Sequence, residues 1–329
     1  MQRRQFITFF GSAVATWPLV ARAQKREQIA RIGVLMSAAA EDPEGQSRFA
    51  AFRQALQKLG WTEGQNVRID VRWAAADAAL ERKFATDLVS LTPDVILATA
   101  SPTVAALQSV TRTVPIVFAH SVDPVGAGFV DSLARPGGNA TGFVLFEYGI
   151  AAKWLELLKE IAPNVARVAV LRDPTIASGI GQFGAIQSVA PSFGVELTPV
   201  NVRDAGEIER AISAFARSPN GGLIITAVPL ALVHRDLIVT LAARHKLYAV
   251  YYLRSYVKAG GLISYGTEIH DLYRRAADYV DHVLRGEKPS DLPVQAPTKF
   301  ETAINMKTAR ALGLTIPASL FTRADEVIE

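Results

Sequence analysis

Short apolar runs alternate along this chain with stretches whose apolar residues recur at helical spacing. The run at 31–36 (Arg-Ile-Gly-Val-Leu-Met) is followed by Phe49, Phe52, Leu56 and Leu59 at helical spacing. Similar runs predict strands in two series, at 67–73, 94–98 and 114–119, and then at 167–171, 195–201, 222–226 and 248–252. Because such alternation builds parallel sheets covered by helices on both faces, we expect an α/β fold with two doubly wound parallel-sheet lobes.

The residues after 260 are too few for a further domain. They contain a strand-like segment at 261–266, an amphipathic helix at 272–284 and a proline-marked connection at 289–297. We expect them to complete the two lobes and to join them through a hinge that the chain crosses several times. The predicted first lobe comprises 24–142 plus about 262–292, and the second comprises 143–261 plus about 293–329. A cleft between two such lobes is typical of a small-molecule site.

The first 23 residues predict a cleaved export signal. Arg3 and Arg4 precede an uncharged run at 5–21, and residues 21–23 (Ala-Arg-Ala) have the spacing of a cleavage site. The run is shorter and more polar than the ~20 apolar residues of a spanning helix, so a retained anchor is the less favoured alternative. Residues 3–7 (Arg-Arg-Gln-Phe-Ile) look like a twin-arginine signal, although ordinary secretory signals also contain arginine pairs. We therefore expect a mature periplasmic chain from Gln24.

Charge and motif content exclude several classes of protein. The formal charge of +4 falls to +1 without the three arginines of the predicted signal, and a nearly neutral chain cannot neutralise a phosphate backbone, so nucleic acid is not an expected partner. The chain has no cysteine, and its five histidines form no His-x-x-x-His pair, so no metal site is expected. The Gly-x-Gly-x-x-Gly sequence at 179–184 begins well past the preceding strand, so we predict no cofactor and no catalytic residue.

Loops that follow the predicted strands carry the candidate ligand-binding residues. Ligands of such sheets lie at the carboxyl ends of strands, where polar side chains join the free N–H groups of helix N-termini. Asp123 is suited to accept hydrogen bonds from a ligand ammonium, and tyrosines are suited to wall a pocket. Each residue alone has a structural alternative as a helix cap, a turn or a core side chain. The candidates are Ser37, Thr99, Ser101, Ser121, Asp123, Asp173, Thr175 and Tyr251.

Several motifs resemble one family of transport proteins. They are Ala-Phe-Arg-Gln-Ala-Leu at 51–56, Gly-Trp-Thr-Glu-Gly-Gln-Asn at 60–66, Pro-Ile-Val-Phe at 115–118 with Asp-Pro-Val at 123–125, Arg-Pro-Gly-Gly-Asn at 135–139, Gly-Gly-Leu-Ile-Ser-Tyr-Gly at 260–266, and the tail from 292 to 326. Over essentially its whole length the chain resembles the periplasmic substrate-binding proteins of ABC-type uptake transporters, in a branch related to tryptophan/tyrosine-type binding proteins. The resemblance implies a type I periplasmic binding protein fold with three connections between the lobes.

The resemblance also implies a function. The implied protein is an extracytoplasmic solute receptor that closes around a small polar organic ligand, such as an amino acid or an aromatic compound, and delivers it to the membrane permease of an ABC transporter. We expect a monomer. Tyr265, in the Ser-Tyr-Gly motif at an interlobe crossing, becomes a further candidate, either lining the cleft or packing the hinge. The alternative function is an exported two-lobed enzyme, a transferase or an oxidoreductase, but the sequence shows no acid–base pair for it.

Overall fold

The computed structural model describes residues 29–329, so the predicted export signal at 1–23 lies outside the described residues. The first sheet is parallel throughout and has the strand order β2-β1-β3-β4-β5. Its strands are β1 (Ala30–Met36), β2 (Val67–Trp73), β3 (Val95–Ala98), β4 (Ile116–Ser121) and β5 (Ala140–Val144), and its connecting helices are α1 (Pro43–Lys58), α2 (Ala78–Ser90) and α3 (Ser101–Val110). We call this sheet with its helices the first lobe.

The second sheet has the order β12-β11-β10-β9-β8-β6-β7, and only the β10–β11 pair within it is antiparallel. Its strands are β6 (Arg167–Arg172), β7 (Glu196–Asn201), β8 (Gly221–Ile225), β9 (Tyr248–Tyr251), β10 (Ile263–Thr267), β11 (Phe300–Asn305) and β12 (Glu326–Ile328). The remaining helices are α4 (Ile150–Ile161), α5 (Ala177–Val189), α6 (Ala205–Phe215), α7 (Pro229–Val233), α8 (Arg235–Arg244), α9 (Arg254–Lys258), α10 (Ile269–Leu284), α11 (Met306–Ala311) and α12 (Ala318–Arg323). This second lobe and the first confirm the predicted α/β class.

The strands are buried because helices cover both faces of each sheet. In β1, Ile32 and Val34 belong to one apolar cluster and Leu35 to another, as the alternation of side chains across a strand requires. The first of these clusters continues through Phe146 and Trp154 into the second lobe, so one core runs behind the cleft and joins the lobes. Continuous burial of β3, β5 and β8 matches strands covered on both faces.

The chain crosses between the lobes at places that differ from the predicted boundaries. The structure places β10 in the second sheet rather than in the first lobe at about 262–292, because it pairs with β9 and β11. Helix α10 then packs on α1 and β4 of the first lobe. Val294 and Gln295, predicted for the second lobe, bind the backbone of Leu133 and Gly142 in the first, and β5 extends that lobe to Val144. The crossings therefore lie at about 145–149, 268 and 296–299.

Candidate ligand-binding site

A cavity lies where the carboxyl ends of the two sheets face each other. Its first-lobe wall comes from the loops after β1, β3 and β4, and its second-lobe wall from the loops after β6, β8 and β9, while the crossings and α10 contribute Leu145, Ile269 and Tyr273. The enclosed space between the walls measures about 80 Å³. The fold thus creates a narrow interlobe site whose walls come from both lobes.

Three of the predicted site residues, Ser37, Thr99 and Ser101, line this cavity. The Ser37 N–H donates to Thr99 Oγ1 at 2.9 Å, which ties the loops after β1 and β3 together. Ser37 Oγ donates to Oε1 of the buried Glu81 at 3.4 Å. Ser101 is the first residue of α3, and its Oγ accepts the Val122 N–H at 3.1 Å. These hydroxyls border the cavity while they also hold the loops that shape it.

Two candidates of the loop after β4 lie outside the cavity lining. Ser121 is fully buried behind the wall, with its Oγ 3.0 Å from Ser101 Oγ. Asp123 has a φ of +46° in a turn, where its Oδ1 accepts the Gly126 N–H at 2.8 Å. Asp123 Oδ2 accepts the Tyr148 hydroxyl at 2.9 Å. Both carboxylate oxygens are therefore engaged in local structure rather than directed at a ligand.

The second-lobe candidates also lie outside the lining. Asp173 Oδ1 accepts the N–H and the hydroxyl of Thr175, at 2.8 and 2.6 Å, in a local turn that satisfies both residues. Tyr251 points into the core and stacks on Tyr256 with ring centroids 4.9 Å apart. Because side chains alternate along a strand, the neighbouring Tyr252 reaches the cavity instead.

Tyr265 lies at the hinge rather than at the interlobe cavity. Its ring stacks on Phe300, with centroids 6.0 Å apart, and its carbonyl accepts the Trp154 indole N–H at 2.8 Å. It borders an open depression with Phe146 and Lys153. Of its two predicted roles, the structure therefore shows hinge packing.

Arg48 is a cavity residue that the sequence analysis missed. It is 2% exposed on α1, and its side chain forms no ion pair with any residue in 29–329. Its Nε also has no hydrogen-bond partner there. A signal was present in the sequence, because Arg48 falls on the same helical face as the buried Phe49, Phe52 and Leu56. A buried arginine without a counter-ion is costly unless something else supplies one, so the cavity is prepared for an anion.

His120 is buried near Arg48, at the cavity wall. Burial, and then the charge of Arg48, lowers the pKa of His120 to about 3, so its imidazole is neutral at physiological pH. Its Nδ1 has no partner among the described residues, and its ring lies 5.6 Å from that of Tyr273. This neutral group can donate or accept one hydrogen bond from a ligand.

An ion pair beside the cavity joins one lobe to the other. Asp42 caps α1 in the first lobe, where its Oδ2 accepts the Gly45 N–H at 2.9 Å. Its Oδ1 lies 2.7 Å from the guanidinium of Arg235, the first residue of α8 in the second lobe. The side chains are 12% and 15% exposed, so the pair is largely removed from water. It links the lobes only while they are close together.

Comparison with known families agrees with this architecture. The sequence profile described as ABC transporter substrate binding protein matches residues 33–328. The chain belongs to the ABC transporter substrate binding protein family. The members of this family are substrate-binding proteins rather than enzymes. This assignment agrees with the resemblance seen in the sequence motifs, and it places the interlobe cavity in a protein whose function is to bind a solute.

Solved relatives of this substrate-binding protein include a ligand-bound and a ligand-free form. A tyrosine-binding protein of Clostridioides difficile (strain R20291) is 27% identical over 280 residues, covering 83% of this chain and 79% of the relative. The structure of an ABC domain in complex with L-Trp from Streptococcus pneumonia is 26% identical and has a TM-score of 0.84, covering 92% of this chain and all of that one. A ligand-free, open substrate binding protein with adhesive properties from Clostridium difficile is 25% identical, with a TM-score of 0.67, covering 91% and 99%.

Within residues 29–329, no helix is both long enough and apolar enough to cross a membrane.

Proposed function

We propose that this protein is the extracytoplasmic receptor of an ABC uptake transporter and that it captures a small organic carboxylate between its lobes. The observation that carries the proposal is Arg48, a buried cation in the interlobe cavity with no counter-ion among the described residues. A ligand carboxylate would supply that charge and the hydrogen bonds that go with it. The N-terminus of α3, at Ser101, opens onto the same cavity and adds backbone donors.

Ligand capture proceeds by closure of the lobes. The structure resembles the L-Trp complex more than the ligand-free, open relative, although both relatives have nearly the same sequence identity to this chain. This difference supports a closed state here and an open state from which the ligand enters. A ligand that contacts both walls favours the closed form, because the open form lacks half of those contacts. The closed monomer would then dock on the membrane permease.

A binding screen with a matched pair of variants tests the proposal. The chain from Gln24 to Glu329 is titrated with aromatic and branched carboxylic acids, amino acids, sugars and nucleosides, and unfolding is followed by thermal shift. A ligand at 100 times its Kd adds about 2.7 kcal/mol to stability. Arg48→Met should weaken carboxylate binding by about 10- to 100-fold, since hydrogen bonds to charged groups contribute about 1.5–3 kcal/mol.

Arg53→Met is the control for the Arg48 substitution. Arg53 lies on the same helix, but it is half exposed and pairs with Glu63 on the surface. This control should bind ligand as the wild type does. Equal binding by the wild type and Arg48→Met would refute the role of Arg48, and the absence of any carboxylate among the hits would refute the proposed ligand class.

A further inference from the structure

The charges around the cavity are unbalanced. Among the described residues that line it, Asp42 is the only acid. Asp42 Oδ1 lies 2.7 Å from the Arg235 guanidinium, which balances its charge without an aligned hydrogen bond, and Oδ2 accepts the Gly45 N–H at 2.9 Å. Arg48, in contrast, has no counter-ion among residues 29–329. Within the described part of the chain, the cavity thus offers an unpaired cation, and the charge of its one carboxylate is balanced by Arg235.

Neutral acceptors at the cavity are also largely engaged. The carbonyls of Ser37, Ala38 and Ala39 each accept a backbone N–H, at 2.7, 3.1 and 3.2 Å. The Leu145 carbonyl accepts the Thr267 hydroxyl. A ligand ammonium needs several strong acceptors when it leaves water, and each of these carbonyls has one lone pair left and carries no opposing charge.

His120, another polar group at the cavity, does not compensate for a cation. The field of Arg48 disfavours a second positive charge nearby and contributes to keeping the His120 imidazole neutral. That same field opposes a ligand ammonium placed beside His120. A neutral imidazole can accept one hydrogen bond, but it supplies no opposing charge.

We propose that the ligand is a carboxylic acid with an apolar body and without an α-ammonium group, unlike the amino acids named for two of the relatives. The inference rests on the proposed function, because it assumes that this cavity binds a carboxylate. The carboxylate pairs with Arg48, and the apolar body lies against Leu145, Ile176, Leu232 and Ile269. Tyr252 and Tyr273 add aromatic surface to this wall.

Ligand pairs that differ only in the ammonium group test this charge preference. Isothermal titration of the chain from Gln24 to Glu329 compares 3-phenylpropionate with L-phenylalanine, and 3-(4-hydroxyphenyl)propionate with L-tyrosine. We expect the acid of each pair to bind at least about 30-fold more tightly. Equal affinity, or tighter binding of the amino acid, overturns the inference while the carboxylate receptor stands. If none of these four compounds binds, the proposed class of ligand, a carboxylic acid with an apolar body, is refuted. Failure of the proposed function is a different result, in which no anion of the wider screen binds.

A substitution at Arg235 provides a second, independent test. Arg235→Met leaves Asp42 Oδ1 without its partner and so gives a ligand ammonium an acceptor. The variant also weakens closure, but both members of a ligand pair share that loss, and the ratio of their Kd values cancels it. We expect the ratio to move toward the amino acid by about 10-fold. Arg244→Met, an exposed position of the same helix α8, should leave the ratio unchanged. An unchanged ratio in Arg235→Met overturns the charge account.

Discussion

The ion pair between Asp42 and Arg235 should stabilise the closed form, and Asp42→Asn isolates its contribution. Asparagine caps a helix as well as aspartate does, so the contact with the Gly45 N–H can persist. The negative charge that faces Arg235 is lost. The substitution therefore changes the interlobe contact while it leaves the start of α1 in place.

The free energy that this ion pair contributes to closure can be estimated from how deeply the pair is buried. An exposed ion pair contributes about 0–1 kcal/mol, and breaking a fully buried one costs about 3–5 kcal/mol. With side chains 12% and 15% exposed and 2.7 Å apart, Asp42 and Arg235 lie between these cases, at about 2 kcal/mol. Since the contact joins opposite lobes, this energy acts on the closing equilibrium alone. About 2 kcal/mol corresponds to a roughly 30-fold smaller ratio of closed to open protein and to a similar rise in Kd.

Titration calorimetry gives the Kd, and small-angle X-ray scattering with and without ligand gives the compaction. Glu63→Gln is the matched control, because it breaks the Arg53–Glu63 pair, whose side chains are 52% and 44% exposed, at a distance of 2.8 Å on the surface of one lobe. It should change Kd by less than about 3-fold. If Asp42→Asn binds as tightly as the wild type and compacts equally, the pair does not stabilise closure and the reasoning is refuted.

Two further predictions concern stability. Burial raises the pKa of Glu81, the partner of Ser37, to about 7 from 4.5. The folded state therefore holds this proton more tightly, so the wild type should lose up to about 3 kcal/mol as the pH rises from about 4.5 through about 7. Urea unfolding at about pH 5 and about pH 8 should show no such loss of stability for Glu81→Gln. The same change in unfolding free energy between the two pH values in both proteins would contradict this prediction. Gly266→Ala should lower stability by about 3 kcal/mol, because a Cβ there would meet the Tyr252 carbonyl at 1.9 Å. Gly184→Ala is the control, because Gly184 lies inside α5 with open space around it, and it should be neutral or stabilising by up to about 1 kcal/mol. Equal thermal stability of the two alanine variants would refute the steric explanation for Gly266.

Most strands could be predicted from sequence because a buried parallel strand is a continuous apolar run. The predicted starts at 67, 167 and 248 coincide with β2, β6 and β9. Strand β5 was not predicted, because it follows a turn-rich segment and contains Gly142 at a φ of +149°. A Cβ at Gly142 would lie 2.0 Å from the Phe118 carbonyl, so this glycine is required by the close approach of β4. Pairing with a neighbour, rather than local propensity, makes the segment a strand.

The candidate site was only partly predictable, because contacts between segments distant in sequence decide where each polar side chain lies. Ser37, Thr99 and Ser101 follow strand ends, and that position is enough to bring them to the cleft edge. Asp123 occupies a similar position, yet a turn and the Tyr148 hydroxyl engage both of its oxygens. No spacing along the chain indicates which of these outcomes a given polar side chain has.

The sequence by itself determined the alternating strands and helices, the two lobes and the family, since each rests on periodicity or on motifs within a short stretch of chain. The tertiary structure decided where the chain crosses between lobes and which charges remain unpaired. Asp42 and Arg235 are far apart in sequence, and only the facing of the two lobes brings them together. Arg48 lies on an apolar helical face in the sequence, but whether a counter-ion stands beside it among the described residues depends on every wall of the cavity. Burial and pairing of a charge are properties of its whole surroundings, and these exist only after both lobes have folded and met.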